Sequence, residues 1–251
     1  MILLNPSDRP SGSKIFFLIK FFSEKDHARQ FLDGNLFMRR MSYFQREEDS
    51  GGRWDETEGV GAWWQKKGMK IRLCPPGRRS INITEKDLAG PVYLSPLAFD
   101  NIYIYCMYAI HIEETRFSQV NDMASLAGLE ATLKIDPRCL RFGPHAVVVH
   151  RLMPFQERIT QAIKIHSFGL RANLVHYYDN DVFNGIIAIK DIPFRKQKRF
   201  SYQREFRICV RNNDLYPMKE NLTLKVGSLS DVATYIPSEQ LLSAFKLDMD
   251  S

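Results

Sequence analysis

Apolar positions along this chain fall mostly in short runs of strand length, and only a few stretches repeat at helical spacing. Residues 14–22 are dominated by Ile, Phe and Leu and predict a buried strand. Ser23 can cap a helix behind it, with Asp26 three residues on and Ala28, Phe31 and Leu32 on one apolar face. Gly34-Asn35 tolerates the left-handed region and ends that helix, and residues 36–44 read as a second strand. Residues 45–61 are a charged loop. Residues 63–95 read as strands broken by Pro75-Pro76-Gly77, and 101–112, rich in Ile and Tyr, is the clearest strand. A helix is predicted over 122–134, a short buried strand over 146–150, and a helix over 154–165 with Phe155, Ile159 and Ala162 aligned. Strands follow at 175–178 and 185–189. A basic connector at 194–199 leads into a strand over 201–210, and 222–226 is a further strand. A turn at 228–231 and a terminal helix over 237–245 close the pattern.

Strands are scattered over the whole length, without regular strand–helix alternation or an internal repeat. That predicts a single α+β domain over 14–251, with a mixed, mainly antiparallel sheet and peripheral helices. Residues 1–13, rich in Pro, Gly and Ser, read as a flexible N-terminal arm. With 251 residues, 44% hydrophobic and 25% charged, such a domain can bury a core without staples. The longest apolar runs, 15–22 and 102–112, are strand-sized, so no membrane partner is expected. The first six residues are too short and uncharged for a secretory signal. Cys74, Cys106, Cys139 and Cys209 are widely spaced, which argues against a disulfide framework or zinc ribbon and for a cytoplasmic location. The net charge of +6 favours an anionic partner, of which nucleic acid is the commonest.

Three stretches carry candidate chemistry. In the strand predicted over 201–210, alternation puts Gln203, Glu205 and Arg207 on one face and Tyr202, Arg204 and Phe206 on the other. Running into the apolar Ile208-Cys209-Val210, that face either lines a polar cleft or holds a structural Glu–Arg ion pair. In Arg53-Trp54-Asp55-Glu56-Thr57-Glu58-Gly59 the charges either brace the loop or border a cleft, with Trp54, Trp63 or Trp64 free to stack on a base. Arg195, Lys196, Lys198, Arg199, Tyr202 and Arg204 mix basic and aromatic side chains, the composition of a single-strand-binding edge as well as of a solvated charge run. The six histidines do not cluster at ligand spacing, so no metal site is expected, and no HExxH, GxSxG or phosphate-binding glycine loop occurs.

Gln203-x-Glu205 is similar to the QxE form of the carboxylate motif of ADP-ribosyltransferases, which lies on a late strand of a split sheet. A longer pattern carries a closer likeness. It runs Lys20-Phe21-Phe22…Ala28…Phe31-Leu32-Asp33-Gly34-Asn35-Leu36…Tyr43-Phe44, Arg53-x-Asp55-x-x-Glu58-Gly59, Tyr202-Gln203-x-Glu205-Phe206-Arg207 and Gly227-Ser228-Leu229-Ser230-Asp231. This resembles a group of bacterial and phage proteins that includes mRNA-modifying ADP-ribosyltransferase toxins of phage-defence toxin–antitoxin systems. The resemblance implies a split-sheet fold, NAD as substrate, RNA as the favoured acceptor and an antitoxin protein as partner. Glu205 becomes the catalytic carboxylate and Gln203 the acceptor-orienting amide. Lys20, or else Lys14, takes the place of the family's first-strand Arg or His, Ser42-Tyr43 or Tyr93-Leu94-Ser95 that of its Ser-Thr-Ser segment, and Arg207 joins the cofactor-binding set. Two rival readings stand beside it: a non-catalytic nucleic-acid-binding or phage–host interaction protein, and a metal-dependent nuclease using Asp55, Glu58 and Glu205.

Overall fold

A computed structural model describes residues 13–46, 55–96, 101–113, 123–166, 168–211 and 219–245. The first half contributes strands β1 (Ser13–Phe22), β2 (Asn35–Arg40), β3 (Ala62–Trp64), β4 (Lys70–Leu73), β5 (Ile81–Thr84), β6 (Val92–Leu94) and β7 (Ile102–Glu113). The second half adds β8 (His145–Val149), β9 (Gly169–Leu174), β10 (His176–Tyr178), β11 (Gly185–Ile186) and β12 (Arg195–Gln197). Three more follow: β13 (Glu205–Arg211), β14 (Asn221–Lys225) and β15 (Ala233–Pro237). Helices are α1 (Lys25–Leu32), α2 (Tyr43–Arg46), α3 (Met123–Leu133) and α4 (Leu152–Ile165), joined by several 3-10 turns. The protein is α+β, and among the described residues its strand pairs are antiparallel apart from the parallel β10–β12. No described helix is long and apolar enough to cross a membrane.

The main sheet runs β14-β2-β7-β1-β8-β15, with β13 on β7 and β9 on β13. β7 is its spine. Its twelve residues, IYIYCMYAIHIE, are β-branched or aromatic at most positions and buried on both faces, as a central strand requires. Leu18, Tyr105, Met107, Ala109, Phe206 and Ile208 point to one side, where α1 and α4 cover them with Phe31, Phe155 and Ile159. Ile19, Phe21, Tyr108 and Ile110 point to the other, under Leu129 and Leu133 of α3. A third cluster, Met41, Ile104, Ile192, Phe194 and Cys209, lies where residues 187–194 cross the sheet.

Local chemistry explains the agreements and the misses. Gly34 does end α1, at φ +87, and a Cβ there would lie 1.9 Å from the Gly227 carbonyl oxygen. Ser23 does not cap that helix: Glu24 holds the N-cap position, in extended conformation and without a side-chain bond. The strand expected from residue 201 starts only at Glu205. Lys198–Gln203 is a 3-10 turn, and Arg204 sits at φ 40, in the left-handed region. The terminal helix expected over 237–245 is shortened to a 3-10 turn at Ser238–Leu242, and the strand before it, β15, which completes the edge beside β8, was not expected.

Gly34→Ala combines a left-handed backbone with a backbone clash. It is expected to lower stability by about 2–4 kcal/mol, read as a shift in urea midpoint at unchanged slope.

Candidate functional site

The sheet forks on β7. β1 pairs with β7 as far as Ile19↔Tyr108 but stays on β8 through Phe22↔His145, so from Lys20 onward it leaves the spine. β2 pairs with β7 only at Arg39↔Ile104 and Arg40↔Tyr103. Between them no described strand offers the Cys106 carbonyl a partner on that edge. Lys20 Nζ takes it at 2.7 Å, with its ammonium 4.3 Å from the Tyr105 ring centroid. On the opposite edge β13 begins at Glu205↔Tyr108. Ile19, Tyr108 and Glu205 therefore stand in one row and share a face at the fork.

Glu205, 7% exposed, is the centre of a buried polar cluster. Arg207 Nε donates to Glu205 Oε2 at 2.8 Å, and its terminal nitrogens donate to Glu58 Oε1 at 2.6 Å and Oε2 at 2.9 Å. Arg207 also donates to the Pro193 carbonyl, 2.7 Å away. Lys196 Nζ bridges Glu205 Oε1 at 2.7 Å and Gln203 Oε1 at 2.8 Å, and lies 4.7 Å from the Phe200 ring centroid. The Glu205 amide donates to Tyr177 Oη at 2.8 Å. Alternation along β13 puts Glu205 and Arg207 on the same face, as expected. Gln203 joins them through the Lys196 ammonium and not through strand alternation.

Burial alone would push the Glu205 carboxyl up, but Arg207 and Lys196 outweigh it and hold the group far below the usual carboxylate range. At Glu58 burial wins over Arg207 and Lys196, and its carboxyl is raised. Cys106, at the fork, is pushed up to about 11 by burial and by the Glu205 charge, so its thiol keeps its proton at neutral pH. Arg204 leads into β13 by a different route. Its guanidinium donates to the carbonyls of His111 and Thr132, and its second terminal nitrogen lies 3.3 Å from His111 Nδ1. Burial first, and Arg204 second, lower the His111 pKa to about 4.

Glu205 borders two spaces. A cavity of about 60 Å³ at the fork is lined by Lys20, Phe44, Cys106, Tyr108, Gln203 and Glu205. A more open polar groove of about 610 Å³ is lined by His111, His176, Tyr177, Ser201 and Arg204. The first has the volume of roughly two waters.

Several expected site residues stand elsewhere. Lys196 is not on a polymer-binding edge: it is buried, because β12 turns it inward onto the Glu205 carboxylate. Arg204 is committed to backbone carbonyls. Tyr202 lies under Arg138, 4.1 Å from its ring centroid, and beside Phe142. Of that run only Lys198 and Arg199 are exposed, Arg195, Tyr202 and Arg204 being half-buried, and Lys198 is 3.5 Å from Asp179. Tyr43 stacks with Arg39, and its neighbours Ser42 and Phe44 differ in that only Phe44 borders the fork. Tyr93 stacks on Trp63 in the small β11-β3-β6 sheet, with exposed Ser95 just beyond, and neither borders the fork. Trp54 and Arg53 lie outside the described residues. Asp55 Oδ1 is taken by Thr57, and Arg207 sits between Glu58 and Glu205 where a nuclease would need an ion. Among the described residues no three His, Cys, Asp or Glu side chains are grouped to hold a metal. Sequence reasoning missed Tyr177, and nothing in its surroundings marks it beforehand. No family model, curated protein or solved structure matches this chain.

Two measurements check this cluster. Glu58→Gln leaves Arg207 partly uncompensated and is expected to cost about 3–5 kcal/mol in denaturant unfolding. A histidine whose folded pKa is depressed contributes stability that is full above the unfolded value of ~6.5 and is lost as pH falls through the folded one. Stability is therefore expected to decline from pH 6.5 toward 4, with His111 titrating near 4 by NMR. The paired Glu205 adds a further loss below ~4.3, while the raised Glu58 offsets part of it. A His111 titration at ~6.5 would mean that the ring is not buried beside Arg204.

Proposed function

We propose that the chain is an NAD-dependent mono-ADP-ribosyltransferase of the split-sheet type. It modifies nucleic acid, RNA in preference, as a cytoplasmic phage-defence toxin held by an antitoxin protein. The observation that carries this reading is the place of Glu205: an ionised carboxylate on the first residue of β13, in register with the residue of β7 where β1 departs. NAD would supply an ADP-ribosyl group on a nicotinamide that can leave. The Glu205 carboxylate suits the positive charge that develops on the ribose and can accept the 2′-hydroxyl proton in a hydrogen bond. One preorganised partner for developing charge contributes about 3 kcal/mol. Gln203 supplies a neutral amide beside it to orient a base, and the polar groove past Tyr177 and His176 gives the acceptor a way to the same carboxylate.

The donor chemistry of the fork fits a nicotinamide riboside, but the cavity there is too small for one as it stands. In this reading the segment carrying Lys196 moves off Glu205 to admit NAD, and Lys20 exchanges the Cys106 carbonyl for a phosphate or ribose oxygen. The buried network itself favours one rival. If Glu205 only neutralises Arg207 and Lys196, the protein is a binder without chemistry.

The protein is to be incubated with NAD carrying a labelled adenine together with total RNA, DNA and protein, and the label is then traced. Label is expected in RNA. Glu205→Gln is expected to cut transfer by 10²–10³-fold, the usual scale for one such group, with its near-UV spectrum retained and its melting temperature lowered. Nucleic-acid binding without label in any fraction, or undiminished transfer by the variant, would overturn the assignment.

A further inference from the structure

Between β3 and β6 the chain leaves the body as a two-stranded ribbon, β4–β5, that pairs with no other described strand. From Lys66 to Asp87 it holds seven Lys and Arg against two carboxylates, a net +5 out of +6 for the whole chain. Lys66, Lys67 and Lys86 stand at its root, Lys70 and Arg72 along β4, and Arg78 and Arg79 at the turn, all exposed. None of the seven has a carboxylate partner among the described residues. Both acids are used locally, Glu85 accepting from the Gly68 amide and Asp87 from Thr84. The cations are thus left for something outside the chain.

The register sorts the ribbon into two faces. Lys70↔Thr84 and Arg72↔Asn82 make one face wholly of hydrogen-bonding groups, while Ile71↔Ile83 and Leu73↔Ile81 make the other apolar. Residues two apart on a strand are ~7 Å apart, close to the spacing of successive phosphates on an extended nucleic-acid strand. At the root, Trp63 and Tyr93 are cross-strand partners stacked 5.3 Å apart, and Tyr93 keeps 45% of its surface exposed. Cations at phosphate spacing beside an open aromatic face are what a single-stranded nucleic acid requires: charge for the backbone, a ring for a base. An anionic membrane would use the same cations, but the ribbon's exposed apolar side chains are limited to Leu73 and Ile81, each about half exposed, and the ring pair lies at the opposite end.

We propose that the β4–β5 ribbon, with Tyr93 at its root, is a binding arm for single-stranded nucleic acid, RNA in preference. This deepens the function proposed above by naming where the acceptor polymer is gripped, yet binding itself needs no NAD.

A fluorescein-labelled single-stranded RNA 20-mer is titrated in fluorescence anisotropy against wild type, an R72Q/R78Q/R79Q variant and a K198Q/R199Q variant, over a range of salt. The arm variant is expected to bind at least ~10-fold more weakly, with the slope of log K against log salt reduced by about 2, each single-strand phosphate contact contributing ~0.7. The Lys198/Arg199 variant is expected to change neither by as much. Nicotinamide release from NAD without acceptor should be the same in wild type and arm variant. Failure of the transferase reading would abolish that release in both while leaving RNA binding intact. Unchanged affinity and slope in the arm variant would overturn the proposal, as would loss of binding to phosphatidylserine vesicles alone. Cross-linking of wild type to 4-thiouridine RNA needs no variant: adducts are expected within residues 63–94, and adducts confined to other segments would overturn it too.

Discussion

The Arg207 guanidinium sets the terms for everything around it. It cannot give up its charge, and it is among the most deeply buried side chains in the protein. Its burial is tolerable only with anions in contact, and these come from far apart in sequence: Glu58 from the turn after residue 55, Glu205 from its own strand two positions earlier. The Pro193 carbonyl adds a third tether. One planar group therefore fixes the 55–60 turn, the 189–197 crossing and the start of β13 against one another. Two cations and two carboxylates balance the charge. Such a quartet is poor evidence of stability, since well-packed apolar residues of the same volume often do as well. What it provides is position: the Glu205 carboxylate has one orientation and one protonation state.

That carboxylate would be unremarked in a continuous sheet. It gains a setting because β1 leaves β7 at the row that starts β13. A sheet that opens leaves backbone groups without partners, and an unpaired buried carbonyl is costly. Lys20 resolves this by reaching from the face opposite Glu205, over the Tyr105 ring, to the Cys106 carbonyl. Its ammonium is a substitute for a missing strand amide. An anion offers an ammonium a stronger bond than a neutral carbonyl does, so in the proposed function the repair of the fork and the receipt of an anionic ligand would reside in the same atom.

The parts of the fold written in local patterns were legible from sequence. β7, α4 and the α1–Gly34–β2 unit follow from β-branched density, a 3.6-residue apolar face and a glycine that must adopt positive φ. β9 and β15 were not, because GLRANL and ATYIP owe their strand state to the partners β13 and β8 and not to their own composition. In the site, the shared face of Glu205 and Arg207 was legible because alternation survives within one strand. The inward turn of Lys196 was not: in sequence it stands among Arg195, Lys198 and Arg199 and reads as one more surface charge. Only the pairing of β12 with β10 aims it at Glu205.

The net charge carries a related lesson about averages. A balance of +6 over the chain points to an anionic partner but says nothing of where it docks, and the basic run before Glu205 was the natural place to look. The fold cancels much of that run, burying Lys196 against a carboxylate and spending Arg204 on carbonyls. Without the β4–β5 ribbon the remaining chain carries a net of only +1. At physiological salt, charges act over about 8 Å, so under the proposed binding a polymer would be drawn to the ribbon and not to the body as a whole. In that proposal, recognition and the fork belong to separate parts of the molecule. The ribbon holds its cations free for a partner, whereas the fork keeps its cations engaged until something displaces them.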